Sequence, residues 1–280
     1  MKLLRYGEAG SEKPGILDAD GNIRDLSGVV ADIDGAALTE EGLAKIAAVD
    51  PASLPEVSGD VRMGPCVGNV GKFICIGLNY TDHALETNNP IPEEPVVFMK
   101  ATSAICGPND GIEIPRGAVK GDWEVELGVV IGKEAKYVSE ADAMDYVAGF
   151  CLSNDVSERA MQTEGTGQWT KGKSHDTFGP IGPWVVTKDE AGDPQELDLW
   201  LDVNDTRRQT GNTRTMIFTV ARIVSYLSEH MSLQPGDIIS TGTPPGVGAG
   251  FNPPVFLKSG DVVTLGIQGL GEARQVCRDA

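Results

Sequence analysis

The chain has 280 residues, enough for one large domain or a large domain with a small appendage, each able to bury a core. Its 35 Gly and 17 Pro, beside 40% hydrophobic and 23% charged residues, indicate many turns between short strands and exclude a helical bundle or coiled coil. A net charge of -18 repels phosphate backbones and anionic membrane surfaces, so nucleic acid and membrane are excluded as partners. A small anionic substrate stays possible wherever a bound cation inverts the local field.

The first residues, Met1 to Gly7, contain no apolar run of signal-peptide length. No later segment reaches the roughly 18 apolar residues of a spanning helix, and a cytoplasmic location is expected. The 5 Cys are scattered without a C-x-x-C pair, which argues against a disulfide framework or a zinc ribbon. A strand over Lys2–Tyr6 and an Asp20-Gly21 turn between Leu17 and Ile23 predict a hairpin, followed by a short helix near Thr39–Ala48. The Pro- and Gly-rich stretch from Pro51 to Pro65 reads as a connector, giving a small N-terminal domain over 1–65 and a main domain over 66–280.

From Lys72 onward, short β-type runs are punctuated by Gly and Pro: Phe73–Leu78, Val96–Lys100, Trp123–Ile131, Val147–Ser153, Trp184–Thr187, Leu197–Val203, Asp237–Thr241 and Val262–Ile267. A helix is expected over Thr215–Met231, where Ile217, Val220, Val224, Leu227 and Met231 recur at helical spacing. Shorter helices are expected near Ser157 and Glu140–Met144. The fold class is mixed, β-dominated α+β.

In Asp122-Trp123-Glu124-Val125-Glu126-Leu127-Gly128, acidic and apolar residues alternate at strand period, which puts Glu124 and Glu126 on one face. A half-exposed strand edge would show the same alternation. Two like charges on a buried face instead call for a cation, and Asp155, at the end of the apolar run from Val147, can complete a trio of carboxylates. An all-oxygen trio suits Mg²⁺, Mn²⁺ or Ca²⁺ rather than zinc or copper. His83 and Glu86 are three apart after the Phe73–Leu78 run, so on one turn of helix the carboxylate could orient the imidazole as a general base. A surface ion pair is the alternative for an isolated H-x-x-E. Lys173, in a Gly-flanked loop, could neutralise a developing enolate, whereas Lys171 reads as a solvated charge and His230 as an answer to its helix dipole.

Three segments, Ile76-Gly77-Leu78-Asn79-Tyr80-x-x-His83-x-x-Glu86, Glu124-x-Glu126-Leu127-Gly128-Val129-Val130-Ile131-Gly132 and Asp155-x-x-x-Arg159-x-x-Gln162, resemble the fumarylacetoacetate hydrolase superfamily. Trp169 to Ser174 and Thr241-Gly242-Thr243-Pro244 agree with it, so the resemblance runs from about residue 70 to 275. It implies a β-sandwich roll that is usually a homodimer. It also implies Glu124, Glu126 and Asp155 as ligands of Mg²⁺ or Mn²⁺, His83 with Glu86 as the pair activating water, and Lys173 completing the catalytic set. Gln162 and Thr243 match substrate-binding positions, and Arg159 matches one that either touches substrate or supports the site. The chain is most similar to the short acylpyruvate and diketo-acid hydrolase branch, and its short N-terminal part departs from the longer fumarylacetoacetate hydrolase itself. The implied activity is hydrolysis of the C3–C4 bond of a 2,4-diketo acid, such as a 2,4-diketo-3-deoxy sugar acid of the L-rhamnonate type, to pyruvate and a second acid. A decarboxylase, tautomerase or isomerase of 2-oxo acids, a ureidoglycolate lyase, or a noncatalytic metal or sugar-acid binder are the competing expectations. Substrate choice is expected in the stretch Thr87 to Pro95.

Overall fold

The computed structural model describes residues 1–82 and 90–280. Among them the strands form a ten-stranded sheet, a five-stranded sheet and a two-stranded ribbon, Gly121–Asp122 with Ser157–Glu158. The strand-dominated α+β class expected from the Gly and Pro punctuation is the observed one.

At the centre of the large sheet lies Val125–Ile131, antiparallel to Val147–Asn154 on one side and to Ile238–Ser240 on the other. All seven of its residues are buried. Both faces are covered, which is why the run reads as nearly continuous Val, Leu and Ile. Val125, Leu127, Val129 and Ile131 belong to a core shared with Leu199, Leu201, Val263 and Leu265 of the five-stranded sheet. Val130 belongs to a second core with Leu26, Ile33, Leu38 and Ile46 from the first fifty residues. Alternate residues of one strand therefore serve two different cores.

The N-terminal hairpin, Lys13–Leu17 against Lys2–Tyr6, docks through Lys2 and Leu3 onto Gly179–Thr187, so the large sheet continues from the first residues into the main region. Arg5 and Arg62 reinforce this junction through ion pairs to Asp32, Glu12 and Asp110.

The expected helix over Thr215–Met231 is shorter, Val220–His230, and is capped by the Thr219 hydroxyl, which accepts from the Arg222 N–H. Its start is displaced because Asn79 claims the preceding residues: the Ile217 N–H donates to the Asn79 carbonyl (2.8 Å) and the Phe218 N–H to Asn79 Oδ1 (2.7 Å). Val220, Val224 and Leu227 of the predicted stripe are buried, each stabilising the docked helix by about 1.5–3 kcal/mol. Periodicity alone did not reveal Thr206–Asn212, composed of polar residues and glycine, or Gly271–Asp279, whose buried Ala273, Gln275 and Cys277 alternate with exposed positions that include Val276. Among the described residues no helix is long and apolar enough to cross a membrane.

Candidate active site

Sheet pairing builds the site. Glu126 pairs with Ser153 and Val125 with Asn154, and the Asp155 N–H then donates to the Glu124 carbonyl at 2.9 Å, which sets Asp155 beside Glu124. The expectation that Glu124 and Glu126 share a buried face holds: they are 5% and 2% exposed, and Asp155 is 0%. The three carboxylates offer oxygens that all lie within 4.8 Å of one another. A half-exposed strand edge is excluded.

Two buried ammonium groups answer part of this charge. Lys173 Nζ is 2.7 Å from Glu124 Oε2 and 2.7 Å from Asp155 Oδ2. Lys100 Nζ contacts Asp155 Oδ1 and donates to the Val156 carbonyl at 3.0 Å. Arg159 Nη2 reaches Glu124 Oε1 at 2.7 Å, its Nε reaches Asp122 Oδ2 at 2.8 Å, and its Nη1 donates to Gln162 Oε1 at 3.0 Å. Asp122 in turn accepts from the Gly248 and Ala249 N–H groups at 2.6 and 3.0 Å, tying that loop to Arg159.

Glu126 differs, because it accepts from a neutral backbone N–H, that of Gly242, at 2.9 Å. Burial first, then the charges of Asp155 and Glu124, push its carboxyl well above the ordinary value in the metal-free protein. Burial alone would lower the Lys173 ammonium, but Asp155 and Glu124 outweigh it and hold the group above its usual value. Gly242 sits at φ +98°, and a Cβ there would lie 2.7 Å from the Asn79 Cβ, so the turn that brings its N–H to Glu126 requires glycine.

Glu124 and Glu126 open onto a cavity of about 250 Å³ also lined by Arg159, Gln162, Lys173 and Thr243. The Thr243 hydroxyl is engaged elsewhere, donating to the Val125 carbonyl (2.9 Å) and accepting from Gln209 Nε2 (2.8 Å). Lys173, expected in a loop, closes the short helix Thr170–Lys173 and is buried, while Lys171 is exposed as anticipated. His230 ends its helix and packs on Tyr226, away from the cavity. His83 and Glu86, and Thr87 to Asn89 of the stretch expected to govern substrate choice, lie outside the described residues.

The sequence reading missed Lys100, Asn79 and Asp122 as organisers of the site. The available signal for Lys100 was a lysine ending a β run on the same face as Phe98. Asn79 donates its amide to the Thr241 and Phe218 carbonyls at 2.8 and 3.0 Å, joining two loops that flank the cavity.

The donor set suits a hard divalent cation: three carboxylates, all oxygen and nearly free of solvent, with the cation contacts among the described residues concentrated on Glu124 and Asp155 and not on Glu126. Residues 72–278 match the family model described as fumarylacetoacetate (FAA) hydrolase, C-terminal. This chain belongs to the fumarylacetoacetate hydrolase family. A Burkholderia lata protein with only a general hydrolase name is 66% identical over the whole of both chains. A fumarylacetoacetate hydrolase from Exiguobacterium antarcticum is 34% identical with a TM-score of 0.90, covering 100% of each chain. Maleylpyruvate hydrolase from Sphingobium sp. SYK-6, solved with manganese(II) and pyruvate, is 30% identical with a TM-score of 0.83, again over 100% of each chain. Other full-length matches are named isomerases. The family membership makes the chain an enzyme, and its acidic cluster offers a set of ligand atoms that could hold a metal ion.

Proposed function

We propose that this protein is a Mg²⁺- or Mn²⁺-dependent hydrolase that cleaves the C3–C4 bond of a 2,4-diketo acid to give pyruvate and a second carboxylic acid. The observation that carries this reading is the buried trio of Glu124, Glu126 and Asp155, within 4.8 Å of one another, with Lys173 bridging two of its members on the cavity wall. In the finer form of the proposal the substrate is a 2,4-diketo-3-deoxy sugar acid of the L-rhamnonate type, and the enzyme works as a cytoplasmic homodimer.

Glu124, Glu126 and Asp155 would hold the metal. Once bound, it supplies Lewis-acid stabilisation of the negative charge that bond cleavage leaves on the pyruvate half. His83, oriented by Glu86, takes a proton from water, and the resulting hydroxide adds to the C4 carbonyl carbon. As C3–C4 breaks, its electron pair passes to the pyruvate enolate and a proton then returns to C3. Lys173 Nζ, held protonated by its two carboxylate contacts, keeps positive charge beside the developing enolate. Arg159 orients Gln162 and Glu124 through its separate hydrogen bonds, which fixes the polar wall against which a substrate carboxylate would lie.

The test is pyruvate release, read with a coupled dehydrogenase, from a panel running from acetylpyruvate to 2,4-diketo-3-deoxy sugar acids and oxaloacetate, with Mg²⁺, with Mn²⁺ and with EDTA. Metal-dependent turnover of a diketo acid that is lost in His83→Ala supports the proposal. Pyruvate from oxaloacetate alone sinks it in favour of decarboxylation.

A further inference from the structure

The strand that carries Glu126 loses a neighbour just where it reaches the acidic trio. Ile238–Ser240 pairs with Val130, Val129 and Gly128, and the Thr241 N–H still donates to the Leu127 carbonyl at 3.1 Å. The backbone then turns away at Gly242, at φ +98°, and among the described residues no strand pairs with Val125 on that edge. Val125 stands between Glu124 and Glu126 and is fully buried, so its N–H and C=O would be costly to leave unpaired. The opposite edge keeps its partner, since the Glu124 N–H donates to Asn154 Oδ1 at 3.1 Å and the Glu124 carbonyl accepts from the Asp155 N–H at 2.9 Å.

Two side chains stand in for the missing strand. Gln209 is fully buried although it comes from Thr206–Asn212, at the edge of the five-stranded sheet, and its Oε1 accepts from the Val125 N–H at 3.0 Å. Its Nε2 donates to Thr243 Oγ1 and to the Pro244 carbonyl, both at 2.8 Å. The Thr243 hydroxyl gives its own proton to the Val125 carbonyl at 2.9 Å, which closes a ring around the Val125 backbone. The amide fits this ring one way round only, because the reverse would set its NH₂ against the Val125 N–H and its oxygen against the Pro244 carbonyl.

The torsions on either side of Val125 set how the Glu124 and Glu126 carboxylates converge. Repulsion between like charges on one buried face favours a twist that separates them, and the ring opposes that twist. We infer that Gln209 is a positioning residue for the metal: through Thr243 and the Val125 backbone it fixes the spacing of Glu124 and Glu126, and the Thr243 hydroxyl serves this ring rather than a substrate. This rests on the metal-site reading above. Gln209 does not line the cavity, so its effect reaches the metal through the strand.

Mn²⁺ binding by calorimetry, with a melting curve of each metal-free variant, tests the inference. Gln209→Met keeps the bulk but removes both hydrogen-bonding ends, and it should weaken Mn²⁺ binding by about 10–100-fold. Thr243→Val should fall in the same range, whereas Thr243→Ser, which keeps the hydroxyl, should stay within about threefold of the parent. Either change breaks the ring, so the double variant should be no more than about threefold weaker than the weaker single one. The electron paramagnetic resonance spectrum of bound Mn²⁺ should change in Gln209→Met and Thr243→Val and match the parent in Thr243→Ser. A lower Tm with Mn²⁺ affinity and spectrum unchanged makes the ring structural only and overturns the inference. So does a Thr243→Val protein that keeps its Mn²⁺ affinity but loses pyruvate binding, since its hydroxyl then belongs to the ligand. Where Gln209→Met does not fold, the Thr243 pair decides: weaker Mn²⁺ binding in Thr243→Val than in Thr243→Ser supports the inference, and equal binding overturns it. A parent protein that binds neither Mn²⁺ nor Mg²⁺ would instead remove the metal reading itself.

Discussion

The same kinds of side chain are assembled twice in this molecule, with opposite electrostatic results. Where the N-terminal hairpin meets the main region, Arg62 forks onto Asp110 at 2.8 and 2.6 Å and reaches Glu12 at 2.9 Å, while Arg5 grips Asp32 at 2.7 and 3.0 Å. The side chains keep 7–29% of their exposure. Burial opposes ionisation there too, but the arginine contacts outweigh it, and the Glu12 and Asp110 carboxyls fall below their ordinary values. In the candidate active site Glu126 is 2% exposed and faces two other carboxylates, and its carboxyl rises. The difference teaches that a carboxylate cluster is structural where cations and water satisfy it and is poised to bind a cation where one member is left with like charges and burial.

The largest effect that could break this comparison is on metal binding and turnover. Glu126→Gln should weaken Mg²⁺ binding by at least about 100-fold and lower pyruvate release by roughly 10³-fold, yet leave the melting temperature of the metal-free protein unchanged or higher. A Tm that drops as far as activity does would recast Glu126 as structural. Next in size is Lys100→Met, which leaves Asp155 Oδ1 charged and buried. Denaturant unfolding of the metal-free protein should show a loss of about 3–5 kcal/mol, and a loss under 1 kcal/mol would mean Asp155 does not depend on it.

The N-terminal network should respond in the other sense. Arg62→Ala should reduce stability by about 1–2 kcal/mol, since its hydrogen bonds to charged groups are partly solvated, with pyruvate release within twofold of the parent. A large loss of activity would couple the junction to the site. The smallest effects concern pH. Glu12 and Asp110 have lowered folded values, so their contribution is present above their ordinary values of 4.5 and 3.8 and is lost as pH falls through the folded ones. Glu126 has a raised folded value, so metal-free stability from this group is complete below 4.5 and declines as pH rises through the folded value. Melting curves across pH should therefore lose their acid limb in Arg62→Ala and their decline at higher pH in Glu126→Gln. Metal affinity should rise with pH as the competing proton leaves.

Several features were determined by the sequence itself. Strand period put Glu124 and Glu126 on one face, the adjoining Val-Val-Ile run marked that face as interior, and the pairing of Lys13–Leu17 with Ile23–Asp25 followed from the Asp20-Gly21 turn. Such signals are local, since alternation and turn chemistry act over a few residues. Family membership was legible through ordered motifs for the same reason. Lys100 and Asp122 were not legible in this way, because their roles come from contacts with Asp155, Arg159, Gly248 and Ala249, which lie 37 to 127 positions away along the chain. The later start of the Val220–His230 helix had the same origin, as hydrogen bonds from Ile217 and Phe218 to Asn79 span about 139 positions and override helical periodicity. The sequence thus named the carboxylates, while the tertiary structure decided which cations answer them. It alone revealed the ring of Gln209 and Thr243 around Val125, because hydrogen-bond partners and charge balance are properties of neighbours in space rather than along the chain.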